Sequence, residues 1–285
     1  MVADATSEDD RGKGMGIAGA AMGLGFVFGP AIGGLLAHGD DLQMPFFIAS
    51  MVTGLTFVFA TLVVDETRPE VPGAARRGLG FFAGMRTHGA SLWPWLVLTF
   101  LQTAVFALME ATLALYARDL FGLRPRDVGM ILALMGFVSA LASGMAVGRL
   151  IRAFGEATTI KVGFTLFALG FATAPAAVSP AWLAASMVAV GVGMACMRPS
   201  LNSGVSKRAG EEIGSALGLM QSCDSLARVV GPALGGTLYV AAHALPFTTG
   251  AAVSVLALVF TILALPPASR PVAPPDTSSS HPQSA

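Results

Sequence analysis

Glu110, Asp224 and Arg228 are charged side chains inside otherwise apolar runs of the chain. An ionisable group in hydrocarbon costs at least about 2.5–3.5 kcal/mol on insertion scales, so such groups mark ion pairs, proton relays or polar binding sites. Asp224 and Arg228 are four residues apart, the spacing at which two side chains share a helix face and pair. Glu110 and Arg228 each lie about 15 residues past the start of their runs, near 22 Å at 1.5 Å per residue, so matched depth also lets these two meet. One carboxylate on Arg228 leaves the other to take a proton or to hold a cationic substrate; a fixed structural pair is the plainer reading of Asp224 with Arg228. Gln102, Asn202 and Gln221 fall at comparable positions, with Arg198 nearer the cytoplasmic end of its run. Met109, Met187, Met194, Met197 and Met220 would give an adaptable apolar lining, or plain core packing.

Other chemistries lack their residues. No His-Glu-x-x-His, nucleophile elbow, phosphate loop or cluster with metal spacing occurs, so no enzyme, no cofactor and no metal are expected. Cys196 and Cys223 sit in apolar runs and read as small buried residues. His38, His88 and His243 fall in connections and His281 in the tail.

The elements that must position these charges follow from composition. Apolar residues make up 54% of the chain and charged ones 12%, against the roughly 25% charged of soluble domains. Net charge is zero, which gives no footprint for nucleic acid. At about 20 apolar residues per crossing, spans are expected at 15–37, 44–64, 95–117, 128–148, 160–178, 181–201, 213–239 and 246–266, eight in all. One alternate set of connections carries Arg11, Lys13, Arg68, Arg76, Arg77, Arg86, Arg149, Arg152, Lys161, Arg198, Lys207, Arg208 and Arg270; the other carries only Arg118, Arg124 and Arg126. By the positive-inside rule both termini of this integral membrane protein face the cytoplasm, in a cell (inner) membrane. Residues 65–93 form a long internal loop, and the Pro/Ser-rich stretch 267–285 reads as a disordered cytoplasmic tail.

A glycine-proline hexad is duplicated. Gly29-Pro30-Ala31-Ile32-Gly33-Gly34 returns as Gly231-Pro232-Ala233-Leu234-Gly235-Gly236, which predicts two related halves. Gly25, Gly29 and Gly33 make a smooth face, and Gly136, Ala140, Gly144 and Gly148 make a second; such stripes let helices pack closely in lipid, so the two helices are expected to touch through them.

Gly25-x-x-x-Gly29-Pro30-x-x-Gly33-Gly34 resembles the antiporter signature on the fifth helix of the major facilitator superfamily, in its drug/proton antiporter branch with tetracycline-efflux-like proteins. Ala3-Asp4 through Arg11-Gly12 resembles the loop before that helix. Gly148-Arg149-Leu150 with Phe154-Gly155 resembles the cytoplasmic signature between the eighth and ninth helices, although Arg152 stands where an Asp is common and Glu156 where a base is common. The resemblance runs to about residue 266. It implies an all-α membrane protein whose eight transmembrane helices correspond to helices 5–12 of a twelve-helix fold: residues 1–64 from the N-terminal half, 65–93 between halves, and 94–266 as the C-terminal six-helix half. It also implies secondary active transport of small hydrophobic compounds by alternating access, as proton-coupled efflux, in a chain that lacks the first four helices. Lipid bilayer, a small-molecule substrate and protons are the implied partners. A metabolite symporter or uniporter of the same fold, or a truncated remnant that does not transport, are the alternatives.

Overall fold

The computed structural model describes residues 43–63, 81–209 and 213–265, with Gly25, Phe28, Gly29 and residues 32–36. Among the described residues the secondary structure is helical throughout: α1 (Gln43–Val63), α2 (Phe81–Phe121), α3 (Pro125–Ala142), a π turn (Ser143–Val147), α4 (Gly148–Thr173), a 3-10 turn (Ala174–Ala176), α5 (Pro180–Arg208), α6 (Ile213–Ala241) and α7 (Leu245–Ala264). Five of these segments are long and apolar enough to cross a membrane: α1, α2 from Ser91 onward, the continuous stretch Pro125–Ala176, α5 and α7.

Eight separate spans therefore do not stand out. The expected spans 128–148 and 160–178 run on as one stretch of 52 residues. At 1.5 Å per residue a straight helix of that length would reach about 78 Å, far beyond a 30 Å hydrocarbon core. Gly155 resolves this, with φ 79° and ψ 169°, a backbone state that costs a residue without Cβ little. Packing on α5 shows that the chain reverses there. Ser139 donates to the Gly191 carbonyl at 2.9 Å and Val147 packs with Ala195 and Cys196, so α3 runs parallel to α5. Gly163 faces Met197 while Gly170 faces Ser186 and Val190, so α4 runs antiparallel to it. The expected span on α6 is a 29-residue helix but not one of the five, because Gln221, Asp224 and Arg228 dilute its apolar character.

α2 begins at Phe81, so the last part of the expected loop 65–93 is helical, and the helix continues through Pro94. Glycines and arginines made that stretch look like a connection, yet none of them forbids helix. Trp95, one residue past that proline, is buried.

Helices α2 to α7 pack around one core. Phe164, Phe167 and Phe171 on α4, Met187, Val190 and Leu201 on α5, and Phe247 on α7 are all buried at its centre. Methyl groups at Gly163, Gly170 or Gly193 would meet the facing helix at 2.3 to 2.7 Å at the nearest atom, so α4 and α5 approach closely because these positions are bare. By contrast α1 has no buried residue.

The first hexad is partly described. Gly34 rests on α3, where a methyl group would stand 2.9 Å from the Cα of Gly129 and 3.1 Å from the carbonyl of Pro125. Among the described residues, Gly25, Gly29, Gly33, Gly144 and Gly148 have no atom within 4 Å of that position. Among the described residues the stripe glycines Gly25, Gly29 and Gly33 do not meet Gly144 or Gly148; the contact seen is Gly34 on Gly129, at one end of α3. Pro30 and the segments 1–24, 64–80 and 266–285 lie outside the described residues.

Candidate functional site in the six-helix body

Asp224, on α6, is 5% exposed. Thr103 on α2 donates its hydroxyl to Asp224 Oδ1 at 2.5 Å, and Arg198 on α5 donates from Nη2 to Oδ2 at 2.5 Å. Both carboxylate oxygens are thus bonded, each from a different helix. Asp224 is enclosed, with 7% of its side chain accessible, while Arg198 keeps 29% accessible. Buried charge survives in such a place only when it is paired and hydrogen-bonded, and this set meets both conditions.

Arg228 is not the partner expected for it. Arg228 is exposed, and among the described residues no carboxylate lies within ion-pair distance. The i,i+4 rule offered the local arginine, but tertiary packing brought a closer one from α5. Sequence reasoning had placed Arg198 near a helix end because the apolar run stops around residue 201. The helix itself runs on to Lys207 and Arg208, in its last turn. Arg198 therefore sits ten residues from that end (208 − 198 = 10), about 15 Å into the body at helical rise.

Glu110 does not meet Arg228 either. α2 and α6 run side by side in one direction: Thr103 joins Asp224, Gly231 faces Ala104 and Ala107, and Asp119 accepts from Tyr239 at 2.6 Å. Glu110 is exposed, and it is the one carboxylate among the described residues with neither a hydrogen bond nor an ion pair.

The amides divide. Gln102 is 1% exposed, and its Nε2 has no hydrogen-bond partner. Asn202 and Gln221 are exposed, one turn from Arg198 on α5 and one turn from Asp224 on α6. Thr103 had no sequence signal of its own, since membrane threonines commonly bond back to their own helix, as Thr99 does to the Trp95 carbonyl.

At one end of the body, Glu156 accepts from Ser203 at 2.8 Å and from Lys207, tying the start of α4 past Gly155 to the end of α5. The acid at 156 thus finds its base on another helix. Arg149 and Arg152 are exposed. Next to Lys207 in sequence, Arg208 lies over the Trp95 ring, and Gly204 leaves room for the indole. At the other end, Asp119 accepts from Tyr239, whose ring stacks on His243 at 4.7 Å. In the second hexad Gly231 and Gly235 press on α2, while Gly236 is open and Pro232 lies within the helix.

An apolar cleft of about 470 Å³ opens elsewhere, between Gly33, Gly34 and Phe46 on one side and Leu115, Arg118 and Val128 on the other. None of the mid-length polar residues lines it. Its chemistry is that of a gap between helices, and the polar set around Asp224 is the candidate site.

The profile of the Major Facilitator Superfamily matches residues 1–232 and, in a second match, 96–284. Multidrug resistance protein 2 of Bacillus subtilis is 27% identical over 92% of this chain and 66% of its own length. Tetracycline resistance protein, class B, of Escherichia coli is 28% identical over 88% of this chain and 62% of its own. The chain thus spans somewhat less than two thirds of these relatives. Among solved structures, the human organic anion transporter MFSD10 (TETRAN) superposes with a TM-score of 0.71 at 25% identity, over 91% of this chain and 66% of that one. With the helical body, the apolar segments and a family profile that covers most of its length, the chain belongs to the major facilitator superfamily.

Proposed function

We propose that the chain acts in a secondary transporter that exports small hydrophobic compounds in exchange for protons, by alternating access in the inner membrane with both termini cytoplasmic. Residues 94–266 serve as the C-terminal six-helix half, 1–64 belong to the N-terminal half, and 65–93 connect them. The observation that carries this reading is the set Asp224, Arg198 and Thr103, a charge pair held at mid-length by three helices where hydrocarbon alone would exclude it. Relatives named for multidrug and tetracycline resistance support the substrate class.

Glu110 carries the proton in this reading. It lies within the apolar segment Ser91–Phe121 and has no partner in the body. A carboxylate turned to lipid there would cost at least about 2.5–3.5 kcal/mol, so Glu110 faces a watered cavity. Glu110→Gln keeps the shape and removes the titratable charge. In proteoliposomes with an imposed pH gradient, tetracycline movement driven by that gradient should fall at least tenfold, with the unfolding midpoint in detergent unchanged. Gradient-driven movement at the unaltered rate would refute the role.

A further inference from the structure

We propose that Arg198 is a receptor for an oxyanion, the carboxylate or sulfonate of a hydrophobic compound, and that Asp224 is its resident counter-ion. The inference rests on the transporter reading above and adds the charge of the compound. The pair is neutral as a whole but unequal in access. Asp224 has both oxygens bonded and only 7% of its side chain accessible, whereas Arg198 leaves 29% open. A guanidinium has five N–H donors, and among the described residues only Nη2 of Arg198 is engaged. A molecule arriving at this pair meets accessible guanidinium donors with free capacity, while the carboxylate is enclosed and already bonded at both oxygens.

A second, independent observation gives the same sign. The Nε2 of Gln102, 1% exposed, donates to nothing. Trp95 on α2 packs on Gly204 of the antiparallel α5. Counting seven residues along α2 from that contact (102 − 95 = 7) and seven back along α5 (204 − 197 = 7) brings Gln102 level with Met197 and Arg198. A buried donor without an acceptor is costly, and an oxyanion at Arg198 would supply one. Asn202 and Gln221, exposed one turn away, extend the polar patch without adding charge. Arginine suits a planar oxyanion because its fork gives two parallel charge-assisted hydrogen bonds. A cation would be repelled by the accessible guanidinium, and the acceptors within a turn of it are the neutral amides of Asn202 and Gln221.

The test measures binding of three tritiated probes to the protein in nanodiscs: 2-naphthoate, its methyl ester, and a naphthyl trimethylammonium. The acid should bind saturably and at least tenfold more tightly than the ester. Arg198→Gln should bring the acid down to the ester's level and leave the ester unchanged. Asp224→Asn, which frees Arg198 from its counter-ion, should raise the acid-over-ester ratio severalfold; it also serves where Arg198→Gln fails to fold. Equal binding of acid and ester, acid binding untouched by Arg198→Gln, or a ratio unmoved in Asp224→Asn would overturn the inference and leave the transporter reading standing. Preference for the ammonium would overturn it in favour of a cation site. Binding of none of the three would sink the transporter reading of this site as well.

Discussion

The guanidinium of Arg208 lies over the Trp95 indole, its Cζ 4.4 Å from the ring centroid. Gly204, one turn before Arg208, is what lets the ring in: a methyl group there would stand 1.9 Å from Trp95 Cζ3. Trp95 is 2% exposed and has no room to retreat. Gly204→Ala is therefore expected to destabilise by about 1–3 kcal/mol, the usual result of overpacking a filled core. Gly144→Ala, with no described atom within 4 Å, should be neutral or mildly stabilising, since alanine loses less backbone freedom than glycine. Thermal unfolding in detergent separates the two, and equal midpoints would show that the Trp95 contact is not close.

The second glycine hexad makes a prediction through its contacts on α2. A methyl group at Gly231 would stand 2.7 Å from the Ala104 carbonyl and 2.8 Å from Ala107 Cβ. Gly231→Ala should lower stability by about 1–3 kcal/mol, and adding Ala107→Gly should recover part of that loss. Non-additivity of this kind is expected of residues in contact and is measured by a double-mutant cycle. Strict additivity would mean that α2 and α6 do not meet there. Gly236→Ala, which meets no described atom, is the control.

How far the sequence reached can be judged on these same residues. Apolar runs located the helices because lipid requires about 20 such residues per crossing, and scarce charges pointed to Asp224 and Glu110 because hydrocarbon excludes them. Pairing was not legible. Spacing can show only that Asp224 and Arg228 share a helix, whereas Arg198 reaches Asp224 across 26 positions of chain. Depth misled as well: hydropathy stops α5 near residue 201, while the helix carries on through Asn202 and Ser203 to Arg208. Small-residue stripes show that close packing is allowed and not which helix takes it. Gly231 and Gly235 found α2, Gly34 found Gly129, and Gly29 has no described neighbour.

Glu156 and Lys207 form an ion pair whose base is 64% exposed and whose acid is 15% exposed. Solvent screens such a pair, so its coupling energy should be at most about 1 kcal/mol. The exchanged protein, Glu156→Lys with Lys207→Glu, should unfold closer to the unaltered protein than either single change does, at low salt. At 1 M salt, where the screening length falls to about 3 Å, that difference should shrink. Single changes that add without coupling would remove the tie between α4 and α5.

Thr103 gives the sharpest test of the buried set. Its hydroxyl is the second support of Asp224, donated across helices to Oδ1 at 2.5 Å, and the threonine is 2% exposed. Thr103→Val keeps the shape and leaves that carboxylate oxygen without its donor, which should cost about 1–3 kcal/mol, the penalty for an unsatisfied buried group. Thr103→Ser keeps the hydroxyl and should recover most of it. Thr99→Val is the matched control, because Thr99 only bonds back to the Trp95 carbonyl of its own helix, which already takes part in the helix ladder. Its loss should be well under that of Thr103→Val in the same denaturation measurement. If both valine variants unfold together at the unaltered midpoint, Thr103 does not support Asp224, and Arg198 alone holds the charge.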